Sequence, residues 1–209
     1  MIDRRHLMLG TGAGLVAGLT GCTTSGPSRE LRLAYDTRTD GGFTLPAVPV
    51  QKVHERYRRQ RVPYASEYRA GTVIVSTPDK LLWLVEPEGT AMRYGIGVGK
   101  EGFAWGGKAR IGWKREWPTW TPPEPMIRRE PELAEWRKGM PGGLGNPLGA
   151  RALYLMRGGK PTLYRIHGSP EWWSIGTHAS SGCIRLMNHD IIDLYDRVQP
   201  GARVVVRQA

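Results

Sequence analysis

RIHGSPEWWSIGTHASSGCIRLMNHDIIDLYDRV, residues 165–198, is the most informative stretch of this 209-residue chain. Its first residues continue the apolar run TLYRIH, which predicts a strand that ends at His167. SSGCIRL predicts a turn that leads into a second strand, and NHDIIDLYDRV has apolar residues at helical spacing after Asn188, a good helix N-cap. If the two strands are neighbours in a sheet, His167 and Cys183 come together.

The rest of the C-terminal part alternates short apolar runs with turn residues from Gly71 onward. GTVIVSTP and KLLWLVEP predict a hairpin, because Pro78 and Asp79 stand between two β-branched or apolar runs. ARVVVRQ predicts a closing strand, and PPEPMIRREPELAEWRKGM predicts a short helix around residues 132–138. We therefore expect residues 71–209 to form a single mostly-β domain, a sandwich or barrel with one or two short helices.

The N-terminus has the pattern of an export signal. Two arginines precede an uncharged run of about thirteen residues, shorter than the roughly 20 that a membrane-spanning helix needs. LTGC resembles a lipobox, so Cys22 is expected to be lipidated after removal of residues 1–21, and RRHLM resembles a twin-arginine signal. Residues 22–70 would then be a lipidated tether and N-terminal extension. A simple signal peptide that is cut nearby is the alternative.

Export implies a place in the cell envelope, on the periplasmic face. Thr23 follows the lipobox cysteine, and by resemblance to Gram-negative lipoproteins it favours sorting to the outer membrane, with membrane contact through the lipid alone.

The formal charge of +11 suits an anionic partner. Lysine and arginine are spread along the chain without a zinc-finger, helix-turn-helix or RNA-binding pattern, so no nucleic-acid partner is expected.

The chain has two cysteines, and the second of them raises a chemical question. If Cys22 carries lipid, Cys183 has no intramolecular disulfide partner, although oxidising compartments favour disulfides. A thiol is a useful nucleophile when an imidazole can take its proton. His167 is the best candidate base because a strand positions it, whereas His178 lies in a polar loop and His189 in the first turn of a helix, where it is expected to face solvent.

Gly182, directly before Cys183, would let backbone N–H groups converge on one point and form an oxyanion hole. The single mature thiol and the scattered histidines lack zinc-ligand spacing. No metal and no cofactor are therefore expected.

The opening stretch resembles the signature of the L,D-transpeptidase catalytic domain family. That pattern is His-Gly, then a dozen or more residues, then Ser-Gly-Cys-Ile/Val-Arg, followed by Asn and Asp, and the resemblance covers residues 71 to about 207. This chain departs from many members in having Ser181 where they have histidine, although serine also occurs there. The resemblance implies the fold of that catalytic domain.

The resemblance also implies catalytic roles. Cys183 would be the nucleophile and His167 the general base. The backbone carbonyl of Gly168 would hold the second ring nitrogen of His167, and the backbone N–H groups of Gly182 and Cys183 would stabilise the oxyanion.

Further residues are candidates for substrate binding. Arg185 would bind a substrate carboxylate or, with equal weight, form a structural ion pair with an acid such as Asp190. Ser181, Trp172 and Trp173 would line the substrate cleft, and the alternative for the two tryptophans is that they shield a small core. Four other tryptophans would flank the cleft: Trp105, Trp113, Trp117 and Trp120.

The activity implied by the resemblance is acyl transfer on peptidoglycan tetrapeptide stems. Cys183 would form a thioester with the third-position diamino acid and release the terminal D-alanine. An amine of another stem would then give a 3→3 cross-link, and a lysine-bearing envelope protein would become attached to the wall; carbapenems would acylate the same thiol. The alternatives are a hydrolase with the same pair, acting as L,D-carboxypeptidase or as an amidase that releases wall-bound protein, and a non-catalytic wall-binding lipoprotein.

Overall fold

The computed structural model describes residues 26–99, 106–180 and 182–208, with the backbone alone for residues 179 and 180. The fold is mostly β, as predicted, with one nine-stranded sheet and two small two-stranded sheets in this part of the chain. The strands are β1 (Arg38–Asp40), β2 (Phe43–Leu45), β3 (Gln60–Pro63), β4 (Val73–Ser76), β5 (Leu81–Val85), β6 (Thr90–Gly95), β7 (Val98–Gly99), β8 (Gly107–Glu116), β9 (Arg151–Arg157), β10 (Lys160–Ser169), β11 (His178–Ser180), β12 (Ile184–Met187) and β13 (Arg203–Arg207).

The large sheet has the strand order β12-β10-β9-β8-β13-β4-β5-β6-β3. Most neighbours are antiparallel, while β10 with β12 and β13 with β4 are parallel. The predicted hairpin is confirmed as the antiparallel pair of β4 and β5. The closing strand β13 lies in the middle of the sheet, between β8 and β4, so the C-terminus joins the two halves of the domain.

The sheet is barrel-like because its two ends approach each other. Gly97, two residues after β6, donates its N–H to the carbonyl of Arg185 in β12 at 2.9 Å, and the Arg185 N–H donates to the Gly97 carbonyl at 3.0 Å. A Cβ at position 97 would lie 2.8 Å from the carbonyl oxygen of Ser174, so the close approach requires glycine. Since β12 ends the strand order and β6 is next to its other end, this bridge nearly closes the sheet.

The main core lies between the sheet and α3 (Asn188–Arg197), the helix that the sequence predicts. Burying one leucine or isoleucine side chain contributes about 1.5–3 kcal/mol, so this cluster is the main source of stability. It includes Leu82, Tyr94, Leu155, Leu186, Ile191 and Leu194. The Nζ of Lys114 donates to the carbonyls of Tyr195 and Val198 at 2.6 and 2.8 Å, which places a cation at the helix C-terminus, where it is favoured.

The N-terminal residues that the structure describes pack against this domain. They form α1 (Arg29–Ala34), the β1–β2 hairpin and β3, which pairs with β6 at the sheet edge. A second apolar cluster joins them to the C-terminal part through Tyr35, Val50, Val53, Ile175 and Met187. The predicted export signal and Cys22 lie outside the described residues. In the described part of the chain no helix has the length and apolar character needed to cross a bilayer.

A buried hydroxyl ties this N-terminal part to the start of α3. The O–H of Tyr35 donates to Oδ1 of Asp190 at 2.7 Å, and the Tyr35 oxygen accepts the backbone N–H of Arg59 at 3.0 Å. Both side chains are almost fully buried. Burial raises the pKa of Asp190 to about 7, against the opposing effects of the Arg59 charge and the Tyr35 hydrogen bond.

Residues 117–150, the covering segment, connect β8 to β9. They contain α2 (Glu124–Arg129) and a short 3₁₀ helix (Pro131–Trp136), so the predicted helix near residues 132–138 is a 3₁₀ helix shifted towards the N-terminus. The ends of the segment are tied by two backbone hydrogen bonds between Trp120 and Met140, at 2.9 and 2.7 Å.

One buried asparagine holds the base of the covering segment. The amide of Asn146 donates to the carbonyls of Pro118, Met140 and Pro141 at 2.9–3.2 Å, and its Oδ1 accepts the backbone N–H of Leu148 at 2.8 Å. These groups belong to irregular backbone outside the strands and helices, so the side chain supplies hydrogen bonds that a regular ladder would otherwise provide; the Met140 carbonyl also accepts the Trp120 N–H.

Replacing Tyr35 by phenylalanine is expected to lower the free energy of unfolding by about 1–3 kcal/mol, because the buried Asp190 carboxyl then loses its donor. Denaturant titration of both proteins at neutral pH measures the change. Tyr64→Phe is the matched control, since Tyr64 is only half-buried and stacks on Trp83, and it should change the stability by less than about 0.5 kcal/mol. Equal losses in the two variants would contradict the role of the Tyr35 hydroxyl.

Candidate active site

The two strands that carry the predicted pair are neighbours, which is the condition that the sequence analysis left open. β10 and β12 run parallel, with Ile166 opposite Ile184 and His167 opposite Arg185. The two isoleucines face the core, so His167 and Arg185 face the other side of the sheet. Cys183 directly precedes β12. The prediction that the strand ends at His167 is wrong, because β10 runs on to Ser169 and holds His167 inside the ladder.

Cys183 and His167 line one cavity of about 560 Å³ on this face. Strand β10 also contributes Leu163 and Arg165, and β12 contributes Arg185. The opposite wall is the covering segment, which lines the cavity with Trp120, Pro123, Met126, Glu130, Leu133, Trp136, Met140, Pro147 and Leu148, among others. The pair therefore lies at the bottom of a largely apolar pocket of the size that small-molecule sites have.

The imidazole of His167 is buried and held in one tautomer. Its Nδ1 lies 2.6 Å from the carbonyl oxygen of Gly168. A carbonyl can only accept, so Nδ1 carries the hydrogen and Nε2 of the neutral ring keeps a lone pair. Burial lowers the pKa of His167 to about 4; the nearby positive charges of Arg185 and Arg165 add to this effect, and the hydrogen bond to Gly168 opposes it.

Tight packing explains why glycine follows this histidine. A Cβ at position 168 would lie 2.4 Å from Oδ1 of Asn188 and 2.8 Å from Cγ2 of Ile191. Asn188 was expected to cap α3, but it is the first residue of the helix and its side chain makes no cap bond there. Its Oδ1 instead accepts the backbone N–H of Ala150 at 2.9 Å, which joins the start of α3 to the start of β9 beneath the histidine.

Cys183 is a half-buried thiol whose Sγ lies 3.9 Å from the carbonyl oxygen of Leu163. Gly182 before it has φ of +125°, a conformation that side chains rarely tolerate, so glycine is required where the chain turns into β12. Ser181, the third member of this turn, lies outside the described residues.

Arg185 forms an ion pair, but with a different acid from the one suggested by the sequence. Its Nη1 lies 2.8 Å from Oε2 of Glu171 and 3.4 Å from Oγ of Ser174. Asp190 faces Tyr35 and Arg59 instead, because it lies on α3, on the other side of the sheet from the cavity. Nε of Arg185 is buried and has no hydrogen-bond partner among the described residues, while the side chain as a whole lines the cavity.

The other two C-terminal histidines do not line the cavity. His178 lies in β11, exposed, beside Val98 of β7. The expectation that His189 faces solvent is wrong, since only 2% of it is exposed and its Nε2–H donates to the carbonyl of Asp36 at 2.8 Å. The N-terminal part of the chain covers the first turn of α3, and a local helix pattern cannot reveal that contact.

Trp172 and Trp173 do not line the cavity of Cys183, in contrast to the prediction. They line a separate cavity of about 270 Å³, to which Ser169 and Leu45, the last residue of β2, also contribute. Trp172 packs against the second apolar cluster, as the alternative of a shielded core predicts. Trp173 is 63% exposed. The two tryptophans follow His167 closely in the sequence, but the loop after β10 does not bring their rings into the cavity that Cys183 and His167 line.

Of the other tryptophans, Trp120 lines the cavity, whereas Trp113 and Trp117 pack elsewhere on the sheet and Trp105 lies outside the described residues. Trp136 is a lining residue that the sequence analysis missed, together with Met126, Leu133 and Met140. The signal that could have found them is the density of Trp, Met and Pro between β8 and β9, which is more than a solvent-exposed connection needs.

Comparison with known proteins agrees with this geometry. The family model of YkuD, the L,D-transpeptidase catalytic domain, matches residues 70–206. The probable L,D-transpeptidases ErfK/SrfK and YbiS of Escherichia coli K12 are each 35% identical to this chain over 143 and 145 residues, which are 64% of this chain and 43% of each relative. The chain thus matches less than half the length of these curated relatives.

A solved structure from Brucella melitensis, described as a probable carnitine operon oxidoreductase, is 47% identical to this chain. The match covers 76% of this chain and 99% of that one, with a TM-score of 0.52.

The family model extends from just before β4 into β13, so it includes both strands of the candidate site and the core beneath them. The mostly-β domain with its barrel-like mixed sheet is the fold that the resemblance implied. The chain belongs to the L,D-transpeptidase family, with a catalytic domain of the YkuD type.

Proposed function

We propose that this chain transfers the acyl group of peptidoglycan tetrapeptide stems through a thioester on Cys183. The observation that carries the proposal is the neutral imidazole of His167, locked by the Gly168 carbonyl with its Nε2 unprotonated, in the same cavity as the thiol. Such a base can accept the proton of a thiol at neutral pH. Family membership supports the reaction class.

In the first step, Nε2 of His167 takes the Sγ proton while Sγ attacks the carbonyl carbon of the third-position diamino acid. The negative charge that develops on the carbonyl oxygen is stabilised by the backbone N–H groups of Gly182 and Cys183. As the tetrahedral intermediate collapses, the C–N bond to D-alanine breaks and the imidazolium returns its proton to the departing amine. The products are the thioester and free D-alanine.

In the second step, an amine attacks the thioester and the same Nε2 takes its proton. The C–S bond breaks, and the imidazolium protonates the departing thiolate of Cys183. A diamino acid of another stem as acceptor gives a 3→3 cross-link, and a lysine of an envelope protein gives a wall-attached protein. Water as acceptor would make the enzyme an L,D-carboxypeptidase, and a protein-linked stem as donor would make it an amidase.

Two guanidinium groups in the cavity provide the charge that a stem carboxylate needs. Arg165 lies two residues before His167 on the same face, and Arg185 has a buried Nε without a partner in the described residues. Because this Nε is closed to solvent, a stem carboxylate would be bound by the terminal nitrogens of the two guanidinium groups. Ser181, next to the oxyanion hole, would contact the same substrate.

The proposal includes an exported, envelope-bound enzyme. Cys22 would carry the lipid, residues 22–70 would join it to the catalytic domain, and the periplasmic face of the outer membrane would be the site of action. The two arginines at positions 4 and 5 and the lipobox-like LTGC support this part of the proposal.

Cys183→Ala is expected to abolish the covalent adduct that a carbapenem forms with the protein, because the thiol is the acylated group. His167→Gln should slow adduct formation about 100-fold or more by removing the base. Intact-mass spectrometry against time measures both. His178→Gln is the matched control, since it changes an exposed histidine outside the cavity, and its rate should equal that of the wild type. An adduct on Cys183→Ala, or a larger loss with His178→Gln, would overturn the assignments.

The rate of carbapenem acylation should fall in acid with a midpoint near pH 4. Burial lowers the pKa of His167 to about 4, so the ring remains neutral and able to accept a proton down to that value. Stopped-flow measurement across this range tests the expectation, with circular dichroism to verify that the fold persists. A midpoint near 6.5, the value of a solvated imidazole, would contradict a buried neutral base.

Purified disaccharide-tetrapeptide should be converted by the wild type to dimers with 3→3 links and free D-alanine, and Cys183→Ala should leave it unchanged. Liquid chromatography with mass spectrometry separates the three candidate functions. Tripeptide alone would indicate a hydrolase, and binding without conversion would indicate a wall-binding protein.

A further inference from the structure

The sheet face that carries the catalytic cavity continues into a second depression. Strand alternation places Arg165 of β10, Tyr154 of β9 and Trp113 of β8 on this face, and pairing continues it through Arg110 to Arg203 of β13. The depression has a volume of about 630 Å³. Its charged lining residues, which we call the basic groove, are Lys108, Arg110, Arg157 and Arg203.

The basic groove concentrates positive charge at a cost to folding. Arg203 lies directly opposite Arg110, and Arg157 lies directly opposite Lys160 at the β9–β10 turn. Like charges at directly opposite positions of an antiparallel pair are destabilising. No carboxylate lines the groove, and no ion pair with its four cations is found within the described ranges. An anionic ligand would remove this repulsion.

Aromatic side chains link the basic groove to the catalytic cavity. Trp113, which is 37% exposed, stacks on Tyr154 with ring centroids 4.7 Å apart and planes 11° apart. The guanidinium of Arg165 lies over the Tyr154 ring of this stack, 5.4 Å from its centroid. Arg165 also lines the catalytic cavity. Four strands at about 4.8 Å spacing separate β10 from β13 by roughly 15 Å, so one extended polymer could reach both depressions.

We propose that the basic groove binds the carboxylates of a second stem peptide of the same peptidoglycan, while the reacting stem occupies the cavity of Cys183. This inference rests on the proposed function. Stem peptides carry several carboxylates at neutral pH, and the apolar faces of the sugars between two stems can pack on the Trp113–Tyr154 stack. The continuity of groove, stack and cavity favours this substrate over a bilayer surface, which would have no reason to extend to the thiol.

The test is cosedimentation of the full chain with purified peptidoglycan sacculi over a series of salt concentrations. The double variant Arg110→Gln/Arg203→Gln should bind sacculi about fivefold or more weakly at low salt, because two cations are removed from the groove. The same variant should melt within about 2 °C of the wild type, since the relief of the like-charge repulsion opposes the loss of the exposed hydrogen bond from Arg110 to the Gly201 carbonyl. Unchanged stability with a loss of binding is a combination that general damage to the fold cannot produce.

The matched control is Arg29→Gln/Lys52→Gln, which removes the same charge from residues outside the four strands and should bind like the wild type. Lys108→Gln/Arg157→Gln, which removes the other two exposed cations of the groove, is a second groove variant and should weaken binding in the same way. Sacculi whose carboxylates have been amidated by carbodiimide chemistry should lose the salt-sensitive part of the binding to the wild type.

Equal losses in the control and groove variants would overturn the inference, because net charge alone would then explain binding. Stronger retention on phosphatidylglycerol vesicles than on sacculi, with the same dependence on the groove, would overturn it in favour of membrane docking. The test is separate from that of the proposed function: conversion of soluble tetrapeptide without groove-dependent binding defeats this inference alone, and binding without any Cys183 adduct defeats the proposed function.

Discussion

Ile166 and Ile184 lie side by side in the parallel pair of β10 and β12, and both face the core. Because alternate residues of a strand point to opposite sides, burial of these two side chains fixes where His167 and Arg185 point. A shift of one residue in either strand would expose an isoleucine and bury a polar side chain in the core, which costs several kcal/mol. The placement of the thiol and the imidazole in one cavity therefore depends on hydrophobic burial one residue away from each.

The support below the imidazole comes from distant parts of the chain. Asn188 joins the start of α3 to Ala150, and its Oδ1 packs where a side chain at position 168 would lie. Two residues further along α3, Asp190 is held by Tyr35 from the N-terminal part. The residues before β4 that the structure describes thus contribute to the rigidity of the site, although none of these lines the catalytic cavity.

Local patterns were sufficient for the β4–β5 hairpin, for β10, β12 and β13 and for α3, because each of these leaves its signal within a few residues. The burial of His189 and the partner of Arg185 were not predictable in this way, since Asp36 and Glu171 reach them through contacts that the fold creates. The central position of β13 has the same origin. Its apolar run indicates a strand but cannot specify its neighbours.

The covering segment shows a different limit. Its side chains form most of one wall of the cavity, yet proline and glycine residues break any helical or strand periodicity in its sequence. A single asparagine side chain replaces regular backbone hydrogen bonds at its base. Sequence periodicity therefore has nothing to detect there. The composition is more informative, because Trp120 and Trp136 stand among methionines, leucines and prolines in a connection between two strands.

The bridge between Gly97 and Arg185 has a consequence for how a peptide can approach the thiol. One edge of β12 is bonded to β10, and at Arg185 the other edge is bonded to Gly97. An extended peptide cannot therefore extend the sheet by pairing with Arg185 on the strand that follows the nucleophile, as ligands of open-edged sheets do. Recognition beside the thiol has to come from side chains above the sheet, those of the covering segment together with Arg165 and Arg185, which also line the cavity.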